Sequence, residues 1–179
     1  MQKPRLIPVV LTAAATAVLL FGGWGIYKQV AVSAPLHDML HEVNGIAYAA
    51  EPVIDKDKVA VTVQLSEDAS LREVYGDIAR EVKDIAGDKQ LEVTIRDEAD
   101  EELERLWHAS LFDIAEAMET KTYSAIPAAM EKVVQGSNHI EVDTEMDNSN
   151  VYITMKNGAA TKHVVLPRTP QKLGVWPNA

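Results

Sequence analysis

Two histidines and a run of carboxylates have side-chain types and spacings that could support metal binding or acid–base catalysis. His37 and His41 are four residues apart and would share one face of a helix, as zinc ligands often do. A metalloprotease helix places a catalytic Glu directly after the first His, but this chain has Asp38 there, and the spacing specifies no third ligand. His37 and His41 are therefore weak metal candidates, and an exposed, pH-sensitive patch is the preferred interpretation.

The carboxylate run lies between Asp97 and Glu102, where only Ala99 is uncharged. Loops that bind hard cations intersperse Gly between alternating ligands, whereas this run continues directly into apolar residues at helical spacing. The helix dipole also favours carboxylates in a first helical turn. We therefore interpret the run as the start of a helix.

A hydrolase could still use these carboxylates as general acid or base, with Glu101, Glu102 or Glu104 as candidates. Such a mechanism needs two carboxyl groups within about 9 Å in a concave pocket, one of them with a raised pKa. We expect instead that Glu98, Glu101, Glu102 and Glu104 point outward around the helix start without a common pocket. Alanine at any one of them should then change stability by less than about 0.5 kcal/mol. We predict no catalytic residue and no cofactor.

Composition excludes several other classes of protein. The chain has 179 residues, a net charge of −10 and no cysteine, and all 27 acidic residues follow residue 28. Nucleic acid is a poor partner for such a chain, because phosphate binding needs clustered Lys and Arg. Disulfides and thiolate metal sites are ruled out by the lack of cysteine. Serine-hydrolase elbows, phosphate-binding loops and dinucleotide fingerprints are absent as well.

An uncharged stretch, Leu6 to Tyr27, predicts a transmembrane helix. A helix of this length covers roughly 33 Å, against about 30 Å of hydrocarbon in a bilayer. Lys3 and Arg5 precede the stretch, so the positive-inside rule places the N-terminus in the cytoplasm and the rest of the chain outside. A cleaved signal peptide is the alternative, but the apolar core of such a signal is shorter.

Segments in which every second residue is apolar then alternate along the chain with segments in which apolar residues recur at helical spacing. Strands are predicted from the alternation at Val59–Leu65, Leu91–Ile95, Ile140–Met146, Val151–Met155 and Thr161–Leu166. Helices are predicted from the apolar stripes at Leu71–Ile85, Leu103–Met118 and Ala125–Gln135. A short helix at Leu36–Val43 is predicted in the connector, and the residues that follow it to Asp57 are ambiguous.

These elements predict an α+β fold in the order β-α-β-α-α-β-β-β. Short loops around the first long helix make a βαβ unit with parallel strands. Apolar and polar residues alternate in every predicted strand. This predicts a two-layer fold in which helices cover only one face of a mixed five-stranded sheet. The predicted divisions are 1–28 (N-terminus and anchor), 29–56 (connector), 57–168 (extracytoplasmic domain) and 169–179 (tail).

This architecture, one anchor followed by a small α/β domain, resembles that of single-pass envelope proteins of Gram-positive bacteria. The resemblance implies a scaffold, a regulator or a sporulation component at the cell membrane. We therefore predict a non-catalytic interaction or assembly module that receives another envelope protein, or another copy of itself, on a polar sheet face or edge strand. A ligand or pH sensor is the first alternative, and a carboxylate-dependent hydrolase is the second.

Overall fold

The computed structural model describes residue 10 and residues 12–19, 33–137 and 139–169. From residue 33 onward, the described chain forms four helices and seven strands. The helices are α1 (Ala34–Glu42), α2 (Leu71–Ala86), α3 (Glu101–Glu119) and α4 (Ala125–Val134). The strands are β1 (Ile46–Ala49), β2 (Val53–Ile54), β3 (Lys58–Leu65), β4 (Gln90–Ile95), β5 (Ile140–Met146), β6 (Asn150–Asn157) and β7 (Ala160–Pro167).

The first sheet is built around β3. Strand β4 pairs with β3 in parallel, whereas β1 and β2 both pair antiparallel with the other edge of β3. Because β3 alternates, Val59, Val61, Val63 and Leu65 all lie on one face, where they are buried under α1 and α2. This face, together with the two helices, forms the first hydrophobic core.

The second sheet is an antiparallel meander in the order β5-β6-β7. Val151, Ile153 and Met155 of its central strand β6 pack against α3 and α4 and form the second hydrophobic core. The opposite face of β6 is buried as well, since Tyr152 belongs to the first core. The second sheet therefore contacts helices of both halves of the chain. These are α2, in the half that contains the first core, and α3 and α4, in the half that contains the second core.

Side-chain hydrogen bonds cap the starts of α2 and α3. Ser70 Oγ accepts a hydrogen bond from Glu73 N at the start of α2, and Asp100 Oδ1 accepts one from Leu103 N at the start of α3. Gly87 ends α2 with a φ of +69°, in the region that glycine enters without steric cost. The parallel pairing of β3 with β4 is as predicted, and β6 and β7 pair antiparallel across the turn at Asn157-Gly158.

The prediction of one five-stranded sheet with helices on one face is wrong. The structure has two sheets, and the ambiguous segment before Asp57 supplies two further strands, β1 and β2. The misleading signal lies in β6, where polar Asn150, Tyr152 and Thr154 alternate with apolar residues and so suggested a solvent-facing side. Those three residues are buried, because hydrogen bonds to neighbouring side chains satisfy their polar atoms.

The predicted membrane anchor also requires correction. Most of Leu6–Tyr27 lies outside the described residues, and the described part of it is helical at residues 10 and 12–19. A membrane-spanning helix needs about 20 successive apolar residues. No helix in the part of the chain that the structure describes is long and apolar enough to cross a membrane. The predicted single-pass location, with an extracytoplasmic domain, is therefore not supported.

Candidate functional site

The candidate site is the face of the first sheet that points away from α1 and α2, which we call the open face. The strand register places its side chains in rows, with Tyr48 opposite Gln64, Val53 opposite Ala60, and Thr62 opposite Thr94. These side chains are exposed or half-buried, whereas the β3 side chains of the opposite face are buried. The open face comprises Tyr48, Val53, Lys58, Ala60, Thr62, Gln64, Glu92, Thr94 and Arg96.

Small uncharged side chains occupy the centre of the open face. Ala60, Thr62 and Thr94 lie in adjacent rows of β3 and β4, and each of them is short. Two exposed apolar side chains flank them, Tyr48 at 45% exposure and Val53 at 66%. A flat, uncharged centre with apolar flanks can be covered closely by another protein surface.

Charged side chains mark the two ends of the open face. At one end, Lys58 Nζ is 3.1 Å from Glu92 Oε2. At the other end, the Arg96 guanidinium lies 5.5 Å from the centre of the Tyr48 ring. Exposed pairs of this kind contribute little to stability, so they are able to serve in the orientation of a partner.

The edges of the sheets are less suited to adding a strand from another chain. Strand β2 has two residues, and the pairing of β1 shifts between Ile46 and Tyr48. Short strands and irregular pairing both protect sheet edges. On β5, an edge of the second sheet, Glu141, Asp143 and Glu145 alternate along one face and add negative charge. A face is therefore a better docking surface in this molecule than these edges.

The acidic residues before and within α3 are directed to different partners. Glu98 accepts a hydrogen bond from Gln64, Glu102 lies 3.2 Å from His139, and Glu104 accepts one from Lys162 at 2.7 Å. Glu101 is exposed. Each of the three bonded carboxylates thus engages its own neighbour, which differs from the paired arrangement that glycoside hydrolysis uses.

The two candidate metal ligands lie together on α1. The rings of His37 and His41 contact edge to face, with their centres 4.6 Å apart. Among the described residues the half-buried His37 has no hydrogen-bond partner at its Nδ1, while His41 is exposed. Across the same part of the chain, no group of three or more His, Asp or Glu side chains is arranged to hold a metal ion.

A second polar cluster, of which the sequence indicated only the turn, lies where the two halves of the chain meet. The Tyr152 hydroxyl donates to Asp147 Oδ2 at 2.7 Å and accepts from Asn150 Nδ2 at 3.1 Å. Asp147 Oδ1 accepts from the backbone N–H groups of Ser149 and Asn150. The Tyr75 ring of α2 contacts the Tyr152 ring edge to face at 5.6 Å. The turn composition Asp-Asn-Ser was the sequence signal for part of this cluster.

The electrostatics of this cluster follow from its hydrogen bonds. Desolvation alone would raise the pKa of Asp147, but the bonds from Tyr152, Ser149 and Asn150 hold it below its ordinary value. Burial raises the pKa of Tyr152, and the hydrogen bond to Asp147 raises it further. Asp147 is therefore ionised and Tyr152 is neutral near pH 7. This arrangement fixes the turn before β6 and offers no poised acid or base.

His163 and Asp97 lie at the edge of the second sheet. Thr154 Oγ1 is 3.2 Å from His163 Nδ1, and the His163 backbone N–H donates to Asp97 Oδ1 at 2.8 Å. Burial, aided by the charge of Lys156, lowers the pKa of His163 to about 4. Desolvation raises the pKa of Asp97, partly offset by the His163 N–H and by Lys162. The imidazole is thus neutral at physiological pH and serves as a packed structural group.

Comparison of the chain with protein-family models, with curated protein sequences and with solved structures gives no match. The proposed function therefore depends on the geometry of the surface alone.

Proposed function

We propose that this protein is a non-catalytic interaction module that binds another protein through the open face of its first sheet. The observation that carries the proposal is the combination of a flat uncharged centre with exposed Tyr48 and Val53 beside it. Large exposed apolar side chains that share one face are typical of binding surfaces, whereas scattered single ones need no explanation.

Charge distribution indicates what kind of partner fits. The centre at Thr62 and Thr94 is neutral, so a partner should present small or apolar side chains there. Lys58 and Glu92 at one end, and Arg96 at the other, are placed to set its orientation.

The separate partners of Glu98, Glu102 and Glu104 support a role other than hydrolysis, because general acid–base work needs carboxyl groups that share a site. The sensor alternative has less support than the interaction proposal. The contact between His37 and His41 motivates it, but no further described carboxylate or histidine joins them as a metal site.

The test is site-specific photocrosslinking in the native cells. A photoreactive residue at Thr94 should capture one discrete protein, and Thr62→Arg should abolish that capture, because a long charged side chain would stand in the neutral centre. A matched photoreactive residue at Asp84, on the exposed side of α2, should capture nothing discrete.

The captured protein, once purified, should bind the full chain, and Thr62→Arg should weaken this binding at least tenfold while leaving the melting temperature unchanged. Equal capture from positions 94 and 84, or capture that persists in Thr62→Arg, would count against the proposal.

A further inference from the structure

The outer surface of α3 carries the most exposed large apolar side chain of the described residues. This side chain is Phe112, which is 86% exposed, and Leu111 beside it is 38% exposed. Phe112 is one helical turn before Glu116 and outside the second hydrophobic core. Phe112 and Leu111 together form an exposed apolar pair on one helix, which is more typical of a contact surface than a scattered single residue is.

A groove lies between α3 and α4, and its α3 side includes Asp113 and Glu116, the residue after Phe112 and the residue one helical turn beyond it. Its volume is about 510 Å³, and alanines line much of it, namely Ala117, Ala125, Ala128 and Ala129. Because alanine has only a methyl group, two helices lined with it leave space at their outer surface. Phe112 and the groove thus provide a projection and a recess on one surface, which we call the α3–α4 surface.

Charges at the rim of the groove are of both signs. Asp113 and Glu116 are on the α3 side, and Lys132 is on the α4 side, with its Nζ 3.1 Å from Asp113 Oδ2. One two-fold arrangement places α3 of each copy against α4 of the other. Each copy would then present its anionic side to the cationic side of its partner.

We infer that two copies of this chain pair through the α3–α4 surface, with Phe112 of each copy in the alanine-lined groove of the other. A surface that contains both a projection and its matching recess is self-complementary, and this is the property that a two-fold interface requires. The rim charges satisfy the same symmetry. A single partner helix would explain the groove but not the exposed Phe112 beside it.

This pairing is independent of the open face, which lies on the first sheet. The α3–α4 surface would make the molecule a two-fold assembly with two open faces available to partners. Such a dimer would bind a multivalent partner by avidity, without any change in the open face itself.

The experiment is sedimentation velocity on the full chain over a range of concentrations. The unmodified chain should form a dimer, and Phe112→Ala should weaken dimerisation at least tenfold. Thermal melting at concentrations where the chain is monomeric should be unchanged in this variant, because Phe112 is exposed in the single chain. Val53→Ser, which removes an exposed apolar side chain from the open face, is the matched control and should dimerise normally.

Charge reversal tests the arrangement of the dimer. Lys132→Glu makes the rim entirely anionic, and Asp113→Lys with Glu116→Lys makes it entirely cationic. Each variant alone should dimerise more weakly than the unmodified chain, and an equimolar mixture should form a 1:1 heterodimer at least as stable as the original.

A concentration-independent monomer would overturn the inference. So would a dimer that neither Phe112→Ala nor the charge reversals weaken, since pairing would then use another surface. If the expected dimer or the expected effects of these variants were not observed, the crosslinking test of the open face would be unaffected, because that test concerns positions 62 and 94.

Discussion

At the scale of single residues, Glu104 shows that a carboxylate in the first turn of α3 can bind a buried partner. It is one of the residues predicted to point freely outward, but its carboxylate binds Lys162 Nζ at 2.7 Å. The Lys162 side chain is only 11% exposed, and this carboxylate is its ion-pair partner. A buried ammonium without its partner is costly. We predicted a small effect of alanine on stability at each of Glu98, Glu101, Glu102 and Glu104. That prediction needs revision at Glu104.

Glu104→Ala should reduce the free energy of unfolding by about 1–2 kcal/mol, a value lowered because Glu104 itself is partly exposed. Glu101→Ala, in the same first turn of α3, should change it by less than about 0.5 kcal/mol. Urea denaturation of both variants measures the difference. Equal effects of the two substitutions would show that Lys162 does not depend on Glu104.

His163 predicts how stability changes with pH. Its pKa is lowered by burial and by Lys156 to about 4, below the ordinary value of 6.5. Since the unfolded chain takes up the proton first, the contribution of His163 to stability is complete above pH 6.5. It is lost progressively as the pH falls from 6.5 to about 4.

The measurement is the free energy of unfolding from about pH 7.5 to about pH 4.5 for the unmodified chain and for His163→Gln. The unmodified chain should lose more stability over this range than the variant does. Asp97 nearby has a raised pKa and shifts both curves in the same direction, so their difference isolates His163. Parallel curves would contradict the assignment.

At the scale of elements, two glycines differ in whether another residue could replace them. Gly45, between α1 and β1, has a φ of +90°, and a Cβ there would lie 2.8 Å from Val74 Cγ2 and 2.9 Å from Ala69 Cβ. Gly76 lies within α2, and a Cβ added to it would meet nothing within 4 Å among the described residues. The turn after α1 thus packs directly on α2, and only glycine fits it.

Gly45→Ala should destabilise the protein by about 1–3 kcal/mol, because it adds backbone strain to a steric clash. Gly76→Ala should stabilise it by about 0.5–1 kcal/mol, because alanine loses less conformational freedom in a helix than glycine does. Thermal and urea unfolding of both variants provide the test. A loss of stability in Gly76→Ala, or none in Gly45→Ala, would contradict these assignments.

At the scale of the whole molecule, Tyr152 connects the two hydrophobic cores. It is on β6 of the second sheet, yet it is 1% exposed and belongs to the first core. Ser70 and Arg72 at the start of α2 both bind Glu145 of β5, which adds polar contacts across the same junction. The two halves should therefore unfold together.

Tyr152→Ala should cost about 3–5 kcal/mol and should separate the unfolding of the two halves. Native-state hydrogen exchange measures this, since the slowest amides of β3 and β6 should report one free energy in the unmodified chain and two in the variant. Tyr152→Phe keeps the ring, so it should cost about 1–3 kcal/mol through the lost bonds to Asp147 and Asn150 without separating the halves. Different free energies for β3 and β6 in the unmodified chain would rule out the coupling.

Local patterns in the sequence were sufficient for most individual elements. The capping residue Ser70, the alternation from Val59 to Leu65 and the Asn157-Gly158 turn each act through neighbours in the chain, so they predict a helix, a strand and a hairpin directly. The α+β class followed from these elements. Helix geometry also spreads successive carboxylates around the start of α3, so their different directions depend on the same local rule.

Only the tertiary structure decided how those elements were grouped. Alternation in a strand shows that its two faces differ, but it does not show what covers each face, and Tyr152 and Thr154 are both buried in the folded molecule. Tyr48 and Val53 joined the open face through pairing with β3, a contact between residues distant in the sequence. The sequence by itself determined the helices α1 to α4 and the strands β3 to β7, since each depends on neighbouring residues, but it left β1 and β2 open. The division into two sheets, the junction at Asp147 and the candidate binding surfaces depend on packing between distant segments, which local periodicity does not encode.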